Sequence, residues 1–260
     1  MPDTRMIGVF DSGVGGLSIF KEVKKLLPKE SFVFLADQAN IPYGGKTKKQ
    51  LKNLCEKTTK FLLGQDIKML VVACNTASCY AIEHLRSKFS IPIVGVVPAI
   101  KPAINLTQSG KIAVLSTPAT AKSKYLDKLV KKFANDKKVL RLGCKGLEDS
   151  IEIQDDKKIE KLLNIYIAKV KRFGADVIVL GCTHYPFLRE KIAKRLGSKV
   201  EIIDSGKAVA KRVSNLLEAS PLIAQKNVEE IFFTTGDPRQ FSQVASKLLK
   251  YKVAGKKAYL

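Results

Sequence analysis

Two widely separated stretches of the sequence share one local design, and this design constrains the fold more than any other feature. Each is an apolar run rich in β-branched residues that ends in small residues, a cysteine and a polar turn: Met69–Thr76 and Val177–His184. An apolar run without polar alternation predicts a strand buried on both faces, as in a parallel sheet covered by helices. The residue after such a strand lies at the carboxyl edge of the sheet, where open α/β sheets bind ligands. We therefore expect Cys74 and Cys182 to occupy matched ligand-binding positions.

Strand-like and helix-like segments alternate along the sequence, which is the pattern of βαβ units. Helices are predicted where apolar residues recur every three or four positions, as in Leu17–Leu27, Lys48–Gly64 and Lys157–Phe173. The predicted strands are Met6–Phe10, Phe32–Leu35, Lys68–Ala73, Ile93–Val96, Ile112–Leu115, Val139–Leu142, Val177–Leu180, Val200–Ile203 and Glu230–Thr234. The sequence thus predicts an α/β protein of two pseudosymmetric domains, each a mainly parallel sheet flanked by helices, with the active site in the interdomain cleft.

Two short segments are expected to carry the chain from one domain to the other. The first is Pro98–Pro102, because each proline restricts the residue before it and interrupts regular structure. The second is Asp204–Gly206. The predicted domains are residues 1–98 and 99–207. Residues 208–260 contain one more predicted strand, and we expect this C-terminal segment to return to the first domain.

The chain carries a formal charge of +22, which raises the question of nucleic acid, since Lys and Arg dominate the affinity for phosphates. The lysines are spread over every segment, for instance at Lys21, Lys48 and Lys157, and mostly occupy the polar faces of amphipathic helices. This distribution favours a solvated basic surface over a nucleic-acid site. A basic protein that binds nucleic acid is the alternative function class that the charge leaves open. A positive field would also attract a small anionic substrate.

Membrane, disulfide and metal classes are disfavoured by the composition. No segment approaches the roughly 20 apolar residues that a membrane helix needs, and Met1–Arg5 lead into a strand without an apolar signal region. We therefore expect a cytoplasmic protein with no membrane partner. The five cysteines include no CxxC pair, so we expect free thiols and no metal site.

The glycine-rich turn Asp11–Gly16 lies between a predicted strand and a predicted helix, where glycines permit a tight backbone. A dinucleotide-binding turn, with Asp37 as the acid that binds a ribose, is one interpretation. The match is poor, because Ser18 replaces the third glycine of GxGxxG and a carboxylate opens the turn where a pyrophosphate would bind. A simple connection between a strand and a helix is the better interpretation. A nucleotide-dependent oxidoreductase is nevertheless a third protein class to which the chain could belong.

Cys74 and Cys182 are predicted to carry the chemistry. A lone free cysteine usually belongs to the core, but these two occupy matched positions, and His184 follows Cys182 by two residues. A nearby cation lowers the pKa of a thiol, so His184 could ionise Cys182, and Asp11 could accept a proton from Cys74 or orient it. A thiol hydrolase would use only one cysteine. Removal of an α-proton by one thiolate, with proton return from the opposite face by a second thiol, uses both.

Six motifs, in a fixed order, identify a family. They are Gly8–Leu17, Ile41–Gly44, Val72–Ala77, Ile91–Val96, Leu180–Pro186 and Thr235–Pro238. On these motifs the chain resembles, essentially from end to end, the glutamate racemases of bacterial cell-wall synthesis. The resemblance implies an isomerase that interconverts L- and D-glutamate without any cofactor, neither pyridoxal phosphate nor metal. It also implies a role in supplying D-glutamate for peptidoglycan synthesis, and so in cell wall biogenesis and cell shape.

The resemblance further implies roles for single residues. Cys74 and Cys182 match the two catalytic acid–base residues, with Asp11 assisting beside Cys74 and His184 beside Cys182. Glu152 matches a further catalytic carboxylate, and Glu148 is the nearby alternative. The residues that match positions holding the carboxylates and the ammonium group of the substrate are Asp11, Ser12, Tyr43, Gly44, Asn75, Thr76, Thr120, Thr183 and His184.

The chain departs from the family pattern at two loop positions. Lys145 stands where the family usually has proline, and Asn40 stands where it usually has arginine. Aspartate racemases share the fold and the two cysteines but usually carry an acidic residue at the position of His184, so this histidine favours glutamate as the substrate. Because the family commonly dimerises, a homodimer is a possible assembly.

Overall fold

The computed structural model of the protein describes residues 4–134, 136–218 and 228–260. The chain divides into two compact units. The first consists of Met1–Val96 and Gly206–Leu260, and the second of Val97–Ser205. In both units parallel strands are connected by helices, and this confirms the predicted α/β class.

The described strands and helices alternate along most of the chain. The strands are β1 (Met6–Asp11), β2 (Phe32–Ala36), β3 (Ile67–Val72), β4 (Ile93–Gly95), β5 (Lys111–Ser116), β6 (Lys138–Gly143), β7 (Val177–Leu180), β8 (Glu201–Ile203), β9 (Glu230–Thr234) and β10 (Gly255–Lys257). The helices are α1 (Leu17–Leu26), α2 (Lys48–Leu63), α3 (Asn75–Lys88), α4 (Ile100–Leu106), α5 (Pro118–Ala121), α6 (Lys124–Phe133), α7 (Leu147–Glu152), α8 (Asp156–Phe173), α9 (Arg189–Leu196), α10 (Gly206–Glu218) and α11 (Pro238–Leu249).

The sheet of the first unit has the strand order β10-β9-β2-β1-β3-β4, and its paired strands all run parallel. Every residue of β2 and β3 is buried, as expected for central strands covered on both faces. The start of helix α2 is stabilised by a side-chain cap. Thr47 caps α2, because its hydroxyl accepts a hydrogen bond from the Gln50 amide while the Gln50 side chain accepts one from the Thr47 amide.

The sheet of the second unit has the parallel order β6-β5-β7-β8. This order matches β2-β1-β3-β4 of the first unit strand for strand. Cys74 comes two residues after β3 ends, and Cys182 comes two residues after the equivalent strand β7 ends. The matching topology is the pseudosymmetry that the two repeated sequence stretches predict.

Each predicted strand and helix is present, and its ends differ from the predicted ones by no more than one residue. Two features differ from the sequence-based expectation. Strand β10 was not predicted, and it extends the first sheet by pairing with β9. Pro102, expected to interrupt regular structure, lies in the first turn of α4, where its missing N–H has no helical partner to lose. No helix of the described ranges is both long and apolar enough to cross a membrane.

Candidate active site

The carboxyl ends of the first unit's strands bring polar residues together. Backbone hydrogen bonds continue the sheet just past the strand ends: the Ala73 amide donates to Phe10, the Asp37 amide to Asp11, and the Thr235 amide to Ala36. Asp11, Asp37 and Thr235 therefore stand side by side at the end of β1, β2 and β9, with Cys74 beyond β3. This edge is where ligands bind in parallel α/β sheets.

Asp11, Ser12 and Cys74 form what we call the first thiol site. The Ser12 hydroxyl lies 3.8 Å from the Cys74 sulfur, and the Ser12 amide donates a 2.7 Å hydrogen bond to Asp11 Oδ1. Burial raises the pKa of the Cys74 thiol well above its usual value, and the Asp11 carboxylate raises it further. The Ser12 hydroxyl and the Ala77 amide act in the opposite direction on this pKa, because they stabilise the thiolate. Cys74 thus rests as a thiol with thiolate-stabilising groups already in place.

The glycine-rich turn has a packing role at this site. A Cβ atom added at Gly16 would lie 2.6 Å from the Asp11 Cβ and 3.2 Å from the Ala73 Cβ. Only glycine lets the backbone pass this close to Asp11. The turn leads directly into α1. Its geometry is that of a connection between a strand and a helix, the better of the two interpretations from sequence.

A hydrogen-bonded cluster centred on Asp37 was not predicted as part of the site. The fully buried Asp37 carboxylate accepts hydrogen bonds from the Tyr43 hydroxyl at 2.7 Å, the Asn40 amide at 2.9 Å and the Thr235 hydroxyl at 2.8 Å. Burial raises the pKa of Asp37, while these hydrogen bonds lower it. The carboxylate is occupied by protein donors, which is not the ribose-binding role considered above. Instead, it holds the loop of Tyr43 and Gly44 against the strand ends.

Two residues predicted to bind substrate begin α3 directly after Cys74. Asn75 is 4% exposed and Thr76 is 2% exposed. The side-chain oxygen Oδ1 of Asn75 has no hydrogen-bond partner among the described residues. Since a buried acceptor without a partner costs about 1–3 kcal/mol, this oxygen is well suited to accept a hydrogen bond from a bound ligand.

Cys182, His184 and Glu152 form the second thiol site. The Cys182 sulfur lies 3.6 Å from His184 Nδ1, and His184 Nε2 lies 2.5 Å from Glu152 Oε1. Cys182 and His184 follow β7, whereas Glu152 comes from the end of α7. All three side chains are buried. The structure thus joins a thiol, an imidazole and a carboxylate in one row.

The row changes the acidity of its members. Burial lowers the pKa of His184, but the hydrogen bonds to Cys182 and Glu152 outweigh it and hold this pKa well above its usual value. Burial raises the pKa of Cys182, and His184 lowers it. A protonated imidazole beside the sulfur stabilises the thiolate, so the row can both accept and release a proton at Cys182.

Glu148 and the remaining predicted residues of the second unit lie at the same sheet edge. Glu148 Oε2 lies 4.0 Å from the Cys182 sulfur, so both glutamates considered from sequence are near the thiol, in different positions. Thr183 is buried beside Cys182. Thr120 is fully buried in α5, where its hydroxyl accepts a 3.1 Å hydrogen bond from Thr117.

The other buried cysteines have different surroundings. Burial raises the pKa of Cys55 in α2 and of Cys144 after β6, so both remain neutral thiols. The Cys144 sulfur lies 3.6 Å from the Leu142 carbonyl. Among the described residues no group of three or more His, Cys, Asp or Glu side chains has an arrangement that could hold a metal ion.

Comparisons with known proteins place the chain in a family. The model of the Asp/Glu/hydantoin racemases matches residues 7–213. The glutamate racemase of Herpetosiphon aurantiacus is 42% identical over 245 residues, which cover 92% of this chain and 95% of that protein. The crystal structure of glutamate racemase isoform RacE1 from Bacillus anthracis aligns with a TM-score of 0.91 at 33% identity and covers 98% of both chains. The Escherichia coli glutamate racemase, solved with L-glutamate and the activator UDP-MurNAc-ala, aligns with a TM-score of 0.85 at 32% identity over 97% of both chains.

The fold, the paired thiol sites and these relatives define the protein as an isomerase of the amino-acid racemase class. The match extends over most of the chain and includes both thiol sites. The chain belongs to the Asp/Glu/hydantoin racemase family.

Proposed function

We propose that the protein interconverts L- and D-glutamate by a two-base mechanism in which Cys74 and Cys182 act on opposite faces of one α-carbon. The observation that carries the proposal is the equivalence of the two thiol sites. Each follows the same strand of a matched sheet, and each surrounds a buried sulfur with groups that accept or donate protons. Inversion without rotation of the substrate needs a proton acceptor on one face of the carbon and a proton donor on the other, and a duplicated half-protein can supply one of each.

In the proposed reaction one thiolate gains a proton and the other thiol loses one. The thiolate of one cysteine takes the α-hydrogen as a proton, and the electron pair of the broken C–H bond is delocalised into the α-carboxylate. The thiol of the other cysteine then delivers its proton to the opposite face and becomes the thiolate. The negative charge has moved from one sulfur to the other, and exchange with water returns it. The chemistry needs no electron acceptor and no cofactor.

The neighbours of each thiol serve this exchange. At the second thiol site, protonated His184 stabilises the Cys182 thiolate, and Glu152 orients the imidazole and stabilises its charge. At the first thiol site, Asp11 orients Cys74 or accepts its proton, while the Ser12 hydroxyl stabilises the thiolate. Ionisation at both sites is difficult in the empty protein because both sulfurs are buried. A bound substrate ammonium group would supply the missing positive charge.

The remaining polar residues are proposed to hold the substrate. The unpartnered Oδ1 of Asn75 is suited to the ammonium group. The groups proposed to bind the two carboxylates belong to Ser12, Gly44, Thr76, Thr120 and Thr183, together with the backbone amide of Tyr43, whose hydroxyl already donates to Asp37. Glutamate is supported as the substrate by the curated relatives and by the L-glutamate bound to the E. coli protein. His184, two residues after Cys182, favours glutamate over aspartate.

In the cell, we propose that the product D-glutamate enters peptidoglycan precursors in the cytoplasm, where a reducing environment would keep both thiols free. The protein thereby contributes to cell wall biogenesis and cell shape. A small amino acid is the proposed partner, and a homodimer is the proposed assembly. The basic surface is proposed to attract the anionic substrate and not to bind nucleic acid specifically.

Circular dichroism of L-glutamate incubated with pure, metal-stripped and cofactor-free protein tests this function. We expect the optical signal to decay to zero, and the signal of D-glutamate to decay to zero with the same specificity constant. L-Aspartate in a parallel sample should lose its signal far more slowly. A stable L-glutamate signal in the presence of folded protein would refute the proposed activity, and a faster loss with aspartate would refute the proposed substrate.

A further inference from the structure

Glu148 is a second carboxylate at Cys182, and the two-base mechanism does not use it. Its Oε2 lies 4.0 Å from the Cys182 sulfur, whereas the Glu152 carboxylate is hydrogen-bonded to His184, which in turn contacts the sulfur. The thiol can thus donate toward Glu148 and can also interact with His184. These two neighbours have opposite effects, because an imidazolium stabilises a thiolate and a carboxylate destabilises it.

The position of Glu148 is fixed by the structure around it. Gly146, in the left-handed conformation with φ of 80°, precedes α7, and the fully buried Leu147 anchors the helix start. The Lys145 carbonyl accepts a 2.8 Å hydrogen bond from the Tyr166 hydroxyl of α8. The Ser150 hydroxyl donates a 2.7 Å hydrogen bond to the Gly146 carbonyl. These contacts fix the start of α7 and therefore the position of the Glu148 carboxylate near Cys182.

In the described part of this unit, His184, Glu148, Cys144 and Tyr185 interact with Cys182, and a fifth ionisable side chain, Glu152, interacts with His184. Burial raises the pKa of both Cys144 and Tyr185, so these two groups stay neutral. Among the five, the charge next to the sulfur is thus set by the His184–Glu152 pair on one side and by Glu148 on the other.

We propose that Glu148 is a positioning residue that sets which of the two sulfurs, Cys182 or Cys74, carries the negative charge when one of the thiols ionises. Without Glu148, the imidazolium of His184 would favour thiolate at Cys182, since the neighbouring charged group at Cys74 is the Asp11 carboxylate, which disfavours a thiolate there. Glu148 offsets the effect of His184, so that the two thiols ionise with more similar ease. The ionised enzyme then has a usable share of both thiolate forms, one for each enantiomer. In this kinetic consequence the inference rests on the proposed function.

Titration of the Cys182 thiolate tests the inference without any activity measurement. The background carries Cys74→Ser and Cys79→Ser, and burial keeps Cys55 and Cys144 from ionising. Thiolate absorbance in the ultraviolet is followed as the pH is raised. We expect Glu148→Gln to move the midpoint down by about one pH unit. Asp149→Asn is the matched control, because Asp149 is the other acidic residue of the first turn of α7, and it should leave the midpoint unchanged.

The kinetics of otherwise unaltered enzyme provide the second readout. The two enantiomers have equal free energies, so kcat/KM must be the same in both directions for every variant. The ratio of the two KM values is free to change, and it reports the share of each charge form. We expect Glu148→Gln to change this ratio by about tenfold, the equivalent of one pKa unit, and Asp149→Asn to leave it unchanged.

Unchanged titration in folded Glu148→Gln protein would overturn the inference, and so would an equal shift in Asp149→Asn. If Glu148→Gln is poorly folded by far-ultraviolet circular dichroism, Glu148→Ala carries the same expectation. A shifted midpoint in a protein that does not racemise glutamate would support the role of Glu148 at Cys182 and refute the proposed function. Normal racemisation with an unchanged midpoint and an unchanged KM ratio would support the proposed function and refute the role of Glu148.

Discussion

At the scale of single residues, the two sulfurs are the most informative atoms of the molecule. Both are nearly completely buried, yet their surroundings differ. Cys182 is paired with an imidazole, whereas Cys74 has a serine hydroxyl and a carboxylate. Burial alone makes a thiol inert. The polar neighbours are therefore what distinguishes these two cysteines from Cys55, which is also buried and lies in the interior of α2.

Replacing Cys74 with serine should abolish racemisation in both directions, by at least about a hundredfold, because inversion needs both bases. Circular dichroism starting from each pure enantiomer measures this effect. Cys79→Ser is the control, since Cys79 lies on α3, the helix that follows Cys74, outside the first thiol site, and it should keep wild-type activity. Wild-type exchange of the α-hydrogen with solvent deuterium, for both enantiomers, in the Cys74→Ser protein would show that this base is wrongly assigned.

Contacts between residues that are close in the sequence were easier to predict than contacts between residues that are far apart in it. The Cys182–His184 pair spans two residues and follows a recognisable strand. The Asp37 cluster was missed, because its donor Thr235 lies 198 positions away along the sequence. Only the pairing of β2 with β9 brings these two side chains together. The contact of Glu148 with Cys182 likewise depends on where α7 lies, which no periodicity in a helix of six residues reveals.

At the scale of elements, the central strands were predictable because unbroken apolar runs allow few alternatives. Strand β10 was missed for the opposite reason, since Gly-Lys-Lys has neither apolar nor β-branched residues. Its lysines suit an edge strand, where charge prevents pairing with another chain. Pro102 in α4 shows that a proline signals the start of a helix as well as an interruption.

A buried ion pair links β3 to the loop that precedes β2. The pairing of β1 with β3 shifts at Lys68, and the Lys68 ammonium group lies 2.6 Å from a Glu30 carboxylate oxygen. Both side chains are almost completely buried. Replacing Lys68 with methionine should destabilise the first unit by about 3–5 kcal/mol, because Glu30 would keep a buried charge without its partner.

Urea unfolding followed by far-ultraviolet circular dichroism measures this loss. The double variant Lys68→Met, Glu30→Gln removes both charges and should be more stable than Lys68→Met alone. If the single variant were as stable as the wild type, the pair would have no role in holding β3. An equal loss in the single and double variants would attribute the effect to packing and not to charge.

Asp176, just before β7, fastens a loop of the second unit and predicts a pH dependence of stability. Burial raises the pKa of Asp176, but hydrogen bonds from Thr107, Ser109 and Gln108 outweigh it and hold the pKa at about 2. A depressed pKa stabilises the folded state above the unfolded value of about 3.9, and this contribution is lost as the pH falls toward 2.

Asp176→Asn should therefore lower the free energy of unfolding by about 1 kcal/mol at neutral pH, a modest value because the side chain is partly solvated. Thermal unfolding from pH 7 down to pH 2 measures it. The difference between the variant and the wild type should shrink below pH 4 and be mostly lost by pH 2. A difference that stayed constant across this range would mean that the carboxylate charge contributes nothing.

At the scale of the whole molecule, the chain is two versions of one α/β design, and the function we propose requires both. Neither thiol site alone can invert a stereocentre without rotating the substrate. In the proposed mechanism the two sites together supply an acid and a base that exchange roles with the direction of the reaction. The repeated sequence stretches, the matched sheet orders and the family all fit this division of labour.

The most direct test of this two-base claim is proton nuclear magnetic resonance of L-glutamate during its first turnovers with the enzyme in deuterated water. We predict that the first D-glutamate formed carries deuterium at the α-carbon, because its new hydrogen comes from the second thiol, while the remaining L-glutamate keeps its original hydrogen. D-Glutamate that retained the original hydrogen would mean that a single base carries one proton from face to face, and this result would contradict the claim.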